Sequence, residues 1–407
     1  MQSSRPRLLV LASTFPRWDG DTEPRFVESL SYELAEHFDV SVLVPHCRGA
    51  ARQETLKNGD RKLEVCRFRY CFETLETLAY DGGMLSRVRS NPLRLLLLPL
   101  FIVAQMRTLR RLHREQAFDA IHAHWIIPQG FSIALLRFLR FTLPPVLLTS
   151  HGGDLYALRG RFLEEIKRRI LSRVDAVTVV SEAMRQYCEE KEIAPSRIDV
   201  QSMGVDLDTT FTPGDSDSPR EGLVFVGRLV EKKGVEYLID AVAILAPQHP
   251  GLTLKIVGDG PLRNSLAGRA NEQGVSDRID FVGAVLNVDV PGYLRSASIS
   301  VMPSVVAASG DQEGLGLVAV EAMGCGCAVV ASDLPAVRDT VIDGRTGLMA
   351  KPADAADLAD TIGRLLTDDS LRQQLAEEGR RHALANFNWK AVGASYAEII
   401  NERLLDD

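Results

Sequence analysis

Short apolar runs rich in β-branched residues recur along this chain, most of them separated by helical patterns, and that alternation narrows the fold more than any other feature. In the first half the runs are residues 8–12, 40–44, 63–69, 120–122, 146–149, 177–180 and 199–202, with helical patterns clearest at 26–37 and 162–172. A second series occupies residues 223–226, 253–257, 280–282, 299–302, 328–331 and 348–350. Such alternation gives parallel sheets wrapped by helices, an α/β class. Ligands on doubly wound sheets bind outside the carboxyl ends of the strands. At 407 residues the chain exceeds one ordinary core, so two domains are expected. Residues 205–222, with Pro213, Gly214, Asp215, Ser216, Asp217, Ser218 and Pro219, read as the linker between them.

With 45% hydrophobic and 25% charged residues the composition is that of an ordinary soluble globular protein. The net charge of −7 argues against a nucleic-acid partner and fits an enzyme with a local basic pocket. Cys47, Cys66, Cys71, Cys188, Cys325 and Cys327 are scattered, without a CxxC pair or a companion histidine spacing. Cys325 and Cys327, a CxC in a small-residue turn, read as packed, reduced thiols, as expected in a cytosolic protein. The apolar run at residues 6–12 is too short for a signal peptide and leads into a polar loop.

The stretch EGLGLVAVEA, residues 313–322, carries two carboxylates eight positions apart. On one continuous helix Glu313 and Glu321 would stand on the order of 12 Å apart and off a common face, so they do not form one acid/base dyad. Gly314 and Gly316 place Glu313 in a loop and start the helix near Leu317. The amides of Gly316, Leu317 and Val318 are then a ready anion site. The arrangement suits a nucleotide sugar, with Glu313 toward sugar hydroxyls, the turn at phosphate and Glu321 on a ribose diol. The plainer reading is an amphipathic helix with one capping and one solvated glutamate.

Other candidates lie at strand ends. The loop of residues 13–24 follows the first strand and has one glycine, Gly20, instead of GxGxxG, which makes a dinucleotide redox cofactor a poor fit. It reads either as a loop that moves over substrate or as a solvated turn on which Trp18 packs. His122, His124 and His151 fall at or just beyond strand ends. His151 is the strongest of the three, with Gly152 and Gly153 behind it and Asp154 near enough to orient its ring. Arg228 and Lys233, five apart across a turn, converge on one diphosphate, while Lys232 reads as solvated. Asp259 and Gly260 in VGDGP form a turn that either lines a base pocket or is a plain connection. Residues 91–114 hold a leucine-rich run with Pro92 and Pro99, flanked by Arg87, Arg89, Arg94, Arg107, Arg110, Arg111 and Arg114. The run is too short to span a bilayer. It reads as a core-facing helix with a basic solvated face, or as an amphipathic helix lying on an anionic membrane surface.

The combination VGRLVEKKG, VGDGP, FVG, MPS and EGLGLVAVEAMGCGCAVVASD, with TSHGGD and GVD upstream, resembles the retaining glycosyltransferases of the GT-B fold, family 4. The likeness is strong over residues 223–354 and looser, in the same order, over 7–206. It implies two Rossmann-like domains facing across a cleft: residues 1–206, which take the acceptor and are joined by a C-terminal helix at 388–407, and residues 207–387, which take the nucleotide sugar. It also implies roles. Arg228 and Lys233 hold the donor diphosphate, Glu313 contacts the transferred sugar and Glu321 the ribose. Gly314, Leu315, Gly316, Leu317 and Val318 line sugar and phosphate, and His151 stands near the reacting centre. Gly20 falls near a first-loop glycine, although the usual glycine pair is missing here.

What the resemblance implies chemically is front-face attack, with the leaving phosphate taking the acceptor proton. No acidic pair sits where a metal would bridge the diphosphate, so neither metal nor other cofactor is expected. The donor is a nucleotide-diphosphate sugar. The acceptor is a saccharide, a lipid-linked or a small hydroxyl compound, in glycolipid or cell-surface polysaccharide synthesis. The enzyme would be cytoplasmic and, if residues 91–114 dock, peripheral on the inner face of the membrane. The alternatives are a nucleotide-sugar epimerase of the same fold and a non-catalytic binding protein.

Overall fold

The strand runs read from the sequence form two separate sheets in a computed structural model, which describes residues 5–21, 23–156, 160–193, 197–214 and 219–405. The chain divides into two units: Met1–Val180, Met184–Gly204 and Val392–Asp407 make the first, and Ser181–Ala183 with Val205–Ala391 make the second.

The first unit is built on eight strands: β1 (Arg7–Leu11), β2 (Asp39–Pro45), β3 (Gln53–Asn58), β4 (Arg61–Phe68), β5 (Ala120–His124), β6 (Val146–Ser150), β7 (Ala176–Val179) and β8 (Asp199–Val200). Their order is β3-β4-β2-β1-β5-β6-β7-β8. All pairs are parallel except β3 on β4. β3 is absent from the apolar runs because QETLKN is an exposed edge strand, hydrogen-bonded along one side only and carrying few apolar residues. β1, β5 and β6 are fully apolar-buried or nearly so, which is why they were visible as runs.

The second unit has β9 (Leu223–Val226), β10 (Leu254–Val257), β11 (Ile279–Gly283), β12 (Ile299–Met302), β13 (Ala328–Ser332) and β14 (Leu348–Ala350), all parallel. The order β11-β10-β9-β12-β13-β14 is the doubly wound order, reversing direction between β9 and β12. Alternate residues feed opposite cores: Leu223 and Phe225 enter one, Val224 the other. Each such side chain, fully buried, contributes about 1.5–3 kcal/mol.

Two expectations change. Residues 205–214 are no free linker: Val205, Leu207 and Phe211 are buried in the core of the second unit. Asp215, Ser216, Asp217 and Ser218 lie outside the described residues. The stretch Pro92–Gln116 is 25 helical residues, and its most apolar 18-residue window has a mean hydropathy of 1.4, so by length and composition alone it meets the measure of a bilayer-crossing helix, where the sequence suggested a run too short to span. The six cysteines are free. Burial pushes Cys325 and Cys327 up to about 12, so both are neutral thiols.

Candidate functional site

In the second unit the predicted residues gather at the point where the strand order reverses. β9 and β12 pair through Leu223 with Ile299 and Val224 with Ser300, and beyond that ladder each strand runs into a loop. After β9 the chain passes Gly227 and Arg228, makes the 3-10 turn Glu231–Lys233, and enters helix Val235–Leu245 through Gly234 at φ 61°. After β12 it runs through residues 303–316 into helix Leu317–Gly324, capped by Gly316 at φ 84°. A Cβ on Gly234 would lie 1.9 Å from the Pro303 carbonyl oxygen, so only glycine lets the two loops meet.

Polar contacts stitch these loops. The Val305 amide donates to the Lys232 carbonyl at 2.8 Å, and the Ala308 amide to Glu231 Oε1 at 2.6 Å. Lys232 is not solvated as expected: its Nζ pairs with Asp311 at 3.2 Å and donates to the Gln312 carbonyl at 3.3 Å. Lys233 Nζ stands 2.8 Å from Glu313 Oε1, with little of either side chain exposed. Burial alone would raise the Glu313 pKa, but Lys233, with Lys232 behind it, outweighs burial and holds the carboxyl below its ordinary value. For Glu321 burial prevails: it pushes the pKa to about 7, with Lys233 countering only in part, although the side chain keeps some solvent contact. The two carboxylates thus differ in protonation near neutrality.

No acceptor among the described residues takes the amides of Gly316, Leu317 or Val318, and they open the helix as the glycine spacing predicts. The preceding turn is pinned by the Thr340 hydroxyl, which lies 3.3 Å from the Leu315 carbonyl and 2.9 Å from that of Val337. Arg228 is exposed, and its guanidinium has no partner among the described residues. The VGDGP turn packs on the loop after β9: a Cβ on Gly258 would sit 2.0 Å from the Gly227 carbonyl oxygen, and one on Gly260 2.4 Å from that of Leu229. Asp259 is exposed there, its carboxylate taking the Gly260 amide at 2.7 Å.

His151 and Gly20 belong to the first unit. His122 and His124, two apart on β5, share a face, their rings 4.2 Å apart. His124 Nδ1 meets His151 Nε2 at 2.9 Å, and His122 Nε2 meets the Thr149 hydroxyl at 2.8 Å. Trp125 and Phe26 each lie 5.1 Å from the His151 ring. Burial drives His122 and His151 down to about 3 and His124 well below its ordinary value, so the group is neutral. Asp154 does not orient His151. It accepts from the Ile126 amide at 2.6 Å and the Ser150 hydroxyl at 2.8 Å, and His124 takes the orienting role. The even spacing of residues 122 and 124 on a strand was the available signal for this pair.

Gly20 is exposed at φ 74°, its amide toward Asp19 Oδ1 at 3.1 Å. The loop around it is braced by Arg17, which grips both carboxylate oxygens of Asp21 at 2.7 and 2.8 Å and lies 4.6 Å from the Trp18 ring centre. Thr22 in that loop lies outside the described residues. Among the described residues no group of three His, Cys, Asp or Glu side chains is placed to hold a metal ion.

Residues 208–382 match the family model described as Glycosyl transferases group 1, and residues 24–209 match that of Glycosyltransferase Family 4. The D-inositol 3-phosphate glycosyltransferase of Frankia alni is 31% identical over 310 residues, covering 69% of this chain and 73% of that protein. The chain belongs to the group 1 glycosyltransferases. Along nearly its whole length this glycosyltransferase also resembles the GDP-mannose-dependent alpha-(1-6)-phosphatidylinositol monomannoside mannosyltransferase of Mycolicibacterium smegmatis, at 27% identity over 97% of this chain and 98% of the relative. In fold it is similar to the sucrose-phosphate synthase of Thermosynechococcus elongatus, with a TM-score of 0.78 and 24% identity over 99% of this chain and all of that one. HepE of Anabaena, solved with UDP and glucose, superimposes with a TM-score of 0.69 at 18% identity over 98% of this chain and all of that one. The two Rossmann-like α/β units are thus those of a GT-B glycosyltransferase.

Proposed function

We propose that this glycosyltransferase moves a hexosyl group from a nucleotide-diphosphate sugar to a hydroxyl of a saccharide, lipid-linked or small acceptor, with retention at the anomeric carbon, in glycolipid or cell-surface polysaccharide synthesis. The observation that carries the reading is the grouping at one strand-order reversal of the Arg228 guanidinium and the amides opening helix Leu317–Gly324, both without a partner among the described residues, with the Lys233 ammonium. Fixed positive charge at a carboxyl-end crevice suits a pyrophosphate leaving group. Glu313, kept ionised by Lys233, accepts from sugar hydroxyls, and Glu321 accepts from a ribose diol. Segment 314–318 lines sugar and phosphate, and Asp259 borders the base.

In the proposed step the bond between the anomeric carbon and the diphosphate oxygen breaks. The acceptor oxygen attacks from the same face, and its proton passes to the leaving phosphate oxygen. The protein stabilises the departing charge and positions the partners. His151, being neutral, is proposed to act as a hydrogen-bonding group toward the sugar, and Gly20 as a contact to the diphosphate. Similarity to a mannosyltransferase named as GDP-mannose-dependent and to a protein solved with UDP favours a nucleotide sugar as donor. Cytoplasmic residence is part of the same reading.

A thermal-shift screen of UDP-, GDP- and ADP-sugars tests it, because a ligand bound by the native state raises Tm. One nucleotide series is expected to raise Tm in the wild type and not in Arg228→Ala. No shift from any of them would overturn the reading. Release of nucleotide diphosphate only when an acceptor is added separates transfer from epimerisation.

A further inference from the structure

Between Gly82 and Arg114 the chain carries seven arginines and no acidic residue, in a protein whose net charge is −7. This stretch also holds the largest run of exposed apolar side chains: Leu93, Leu95, Leu96, Leu100 and Val103 are 71%, 51%, 73%, 49% and 43% exposed. The helical stretch Pro92–Gln116, whose α-helix begins at Leu98, carries all of these leucines and five of the seven arginines. Its inner face, Phe101, Gln105, Leu109 and Leu112, is buried in the first unit, with Phe101 against Phe68 and Tyr70 at ring distances of 4.9 and 5.2 Å. At spacings of three and four on the opposite side stand Leu96, Leu100, Val103, Arg107, Arg111 and Arg114. One outward stripe is therefore apolar in its first half and cationic in its second.

The second half is shaped as well as charged. A groove of about 330 Å³ is lined by Arg107, Arg110, Arg111, Arg114 and Glu115, and a second of about 480 Å³, between the helix and β3 and β4, shares Arg111 and adds Arg52. The guanidinium groups of Arg52, Arg107 and Arg114 have no partner among the described residues, and Arg110 lies 3.6 Å from the Phe141 ring centre. Unpaired guanidinium forks in an open groove fit phosphate oxygens.

We infer that this stripe is a docking surface for an anionic phospholipid bilayer. The leucines enter the boundary between headgroups and acyl chains, and the arginines hold lipid phosphates. Although the helix is long enough to cross a bilayer, its inner face is seated on the first unit's sheet, so it lies along the surface. The inference concerns a face of the first unit only and stands or falls apart from the transfer chemistry.

Sedimentation of the full chain with vesicles tests it. Binding is expected to vesicles of phosphatidylcholine with 30% phosphatidylglycerol, to be weak for phosphatidylcholine alone, to fall in high salt and to be reversed by alkaline carbonate. The triple variant Arg107→Ala, Arg111→Ala, Arg114→Ala should partition on the order of 10²-fold less. Leu96→Asp with Leu100→Asp should abolish binding while Tm stays that of the wild type, since these side chains are exposed. Four results would each overturn the inference: no binding to anionic vesicles, unchanged binding by both variants, resistance to carbonate, which means spanning, or a lipid-free dimer that the leucine variant dissociates.

Discussion

Lys233 and Glu313 set the charge at the site, and neither was paired with the other in the sequence, since they lie 80 positions apart and meet only because β9 and β12 are neighbours. Arg228 is different: it is exposed, and its guanidinium has no partner among the described residues. Arg228→Ala is therefore expected to keep the wild-type Tm and lose about 10²-fold or more in kcat/KM. Glu313→Gln should lose as much, measured by acceptor-dependent release of nucleotide diphosphate. Because side-chain cations and amides supply the positive charge, EDTA is expected to leave turnover unchanged; loss restored by a divalent ion would refute that part of the reading. Glu321 gives a pH signature. Its folded pKa of about 7 lies above the ordinary 4.5, so the fold favours the neutral form. The resulting stability is complete below pH 4.5 and is lost as pH rises to about 7. Over that window the urea midpoint should fall less in Glu321→Gln than in the wild type. Glu313 has the opposite sign, its contribution being lost as pH falls.

At the scale of elements, the sequence displayed the buried strands and the glycine-capped helix at Leu317, because strands covered on both faces are uninterrupted apolar runs and a left-handed cap calls for glycine. It hid β3, whose polar residues obey no burial, and it hid every contact between loops. Asp154 looked like the partner of His151 from its nearness in the chain, whereas β5 and β6 lie side by side and supply His124 instead. Glycines mark where loops touch. At Gly234→Ala a methyl 1.9 Å from the Pro303 oxygen, at φ 61°, must displace the turn that carries Lys233. That substitution should cost upward of about 1–3 kcal/mol in a denaturant titration and reduce kcat. Gly20→Ala meets nothing within 4 Å and bears only the cost of its backbone angle, roughly 1–2 kcal/mol.

For the whole molecule, the chain order matters. Residues 205–391 form the second unit, and the chain then returns to the first, where Tyr396 and Ile400 are fully buried and Arg403 pairs with Asp199 at 3.1 Å. Helix Trp389–Ile400 fits there because Gly393 is bare: a Cβ would stand 2.2 Å from that of Glu33. Ending the chain at Ala391 is thus expected to uncover β-sheet core in the first unit and make it the quicker of the two to be cut in a limited proteolysis time course. There is a consequence for synthesis. The ribosome makes the first unit's opening half long before residues 392–405 that close it, so completion of that unit waits on synthesis of the whole segment 205–391. Maturation of the nascent polypeptide then runs backward: the unit begun first is the one finished last.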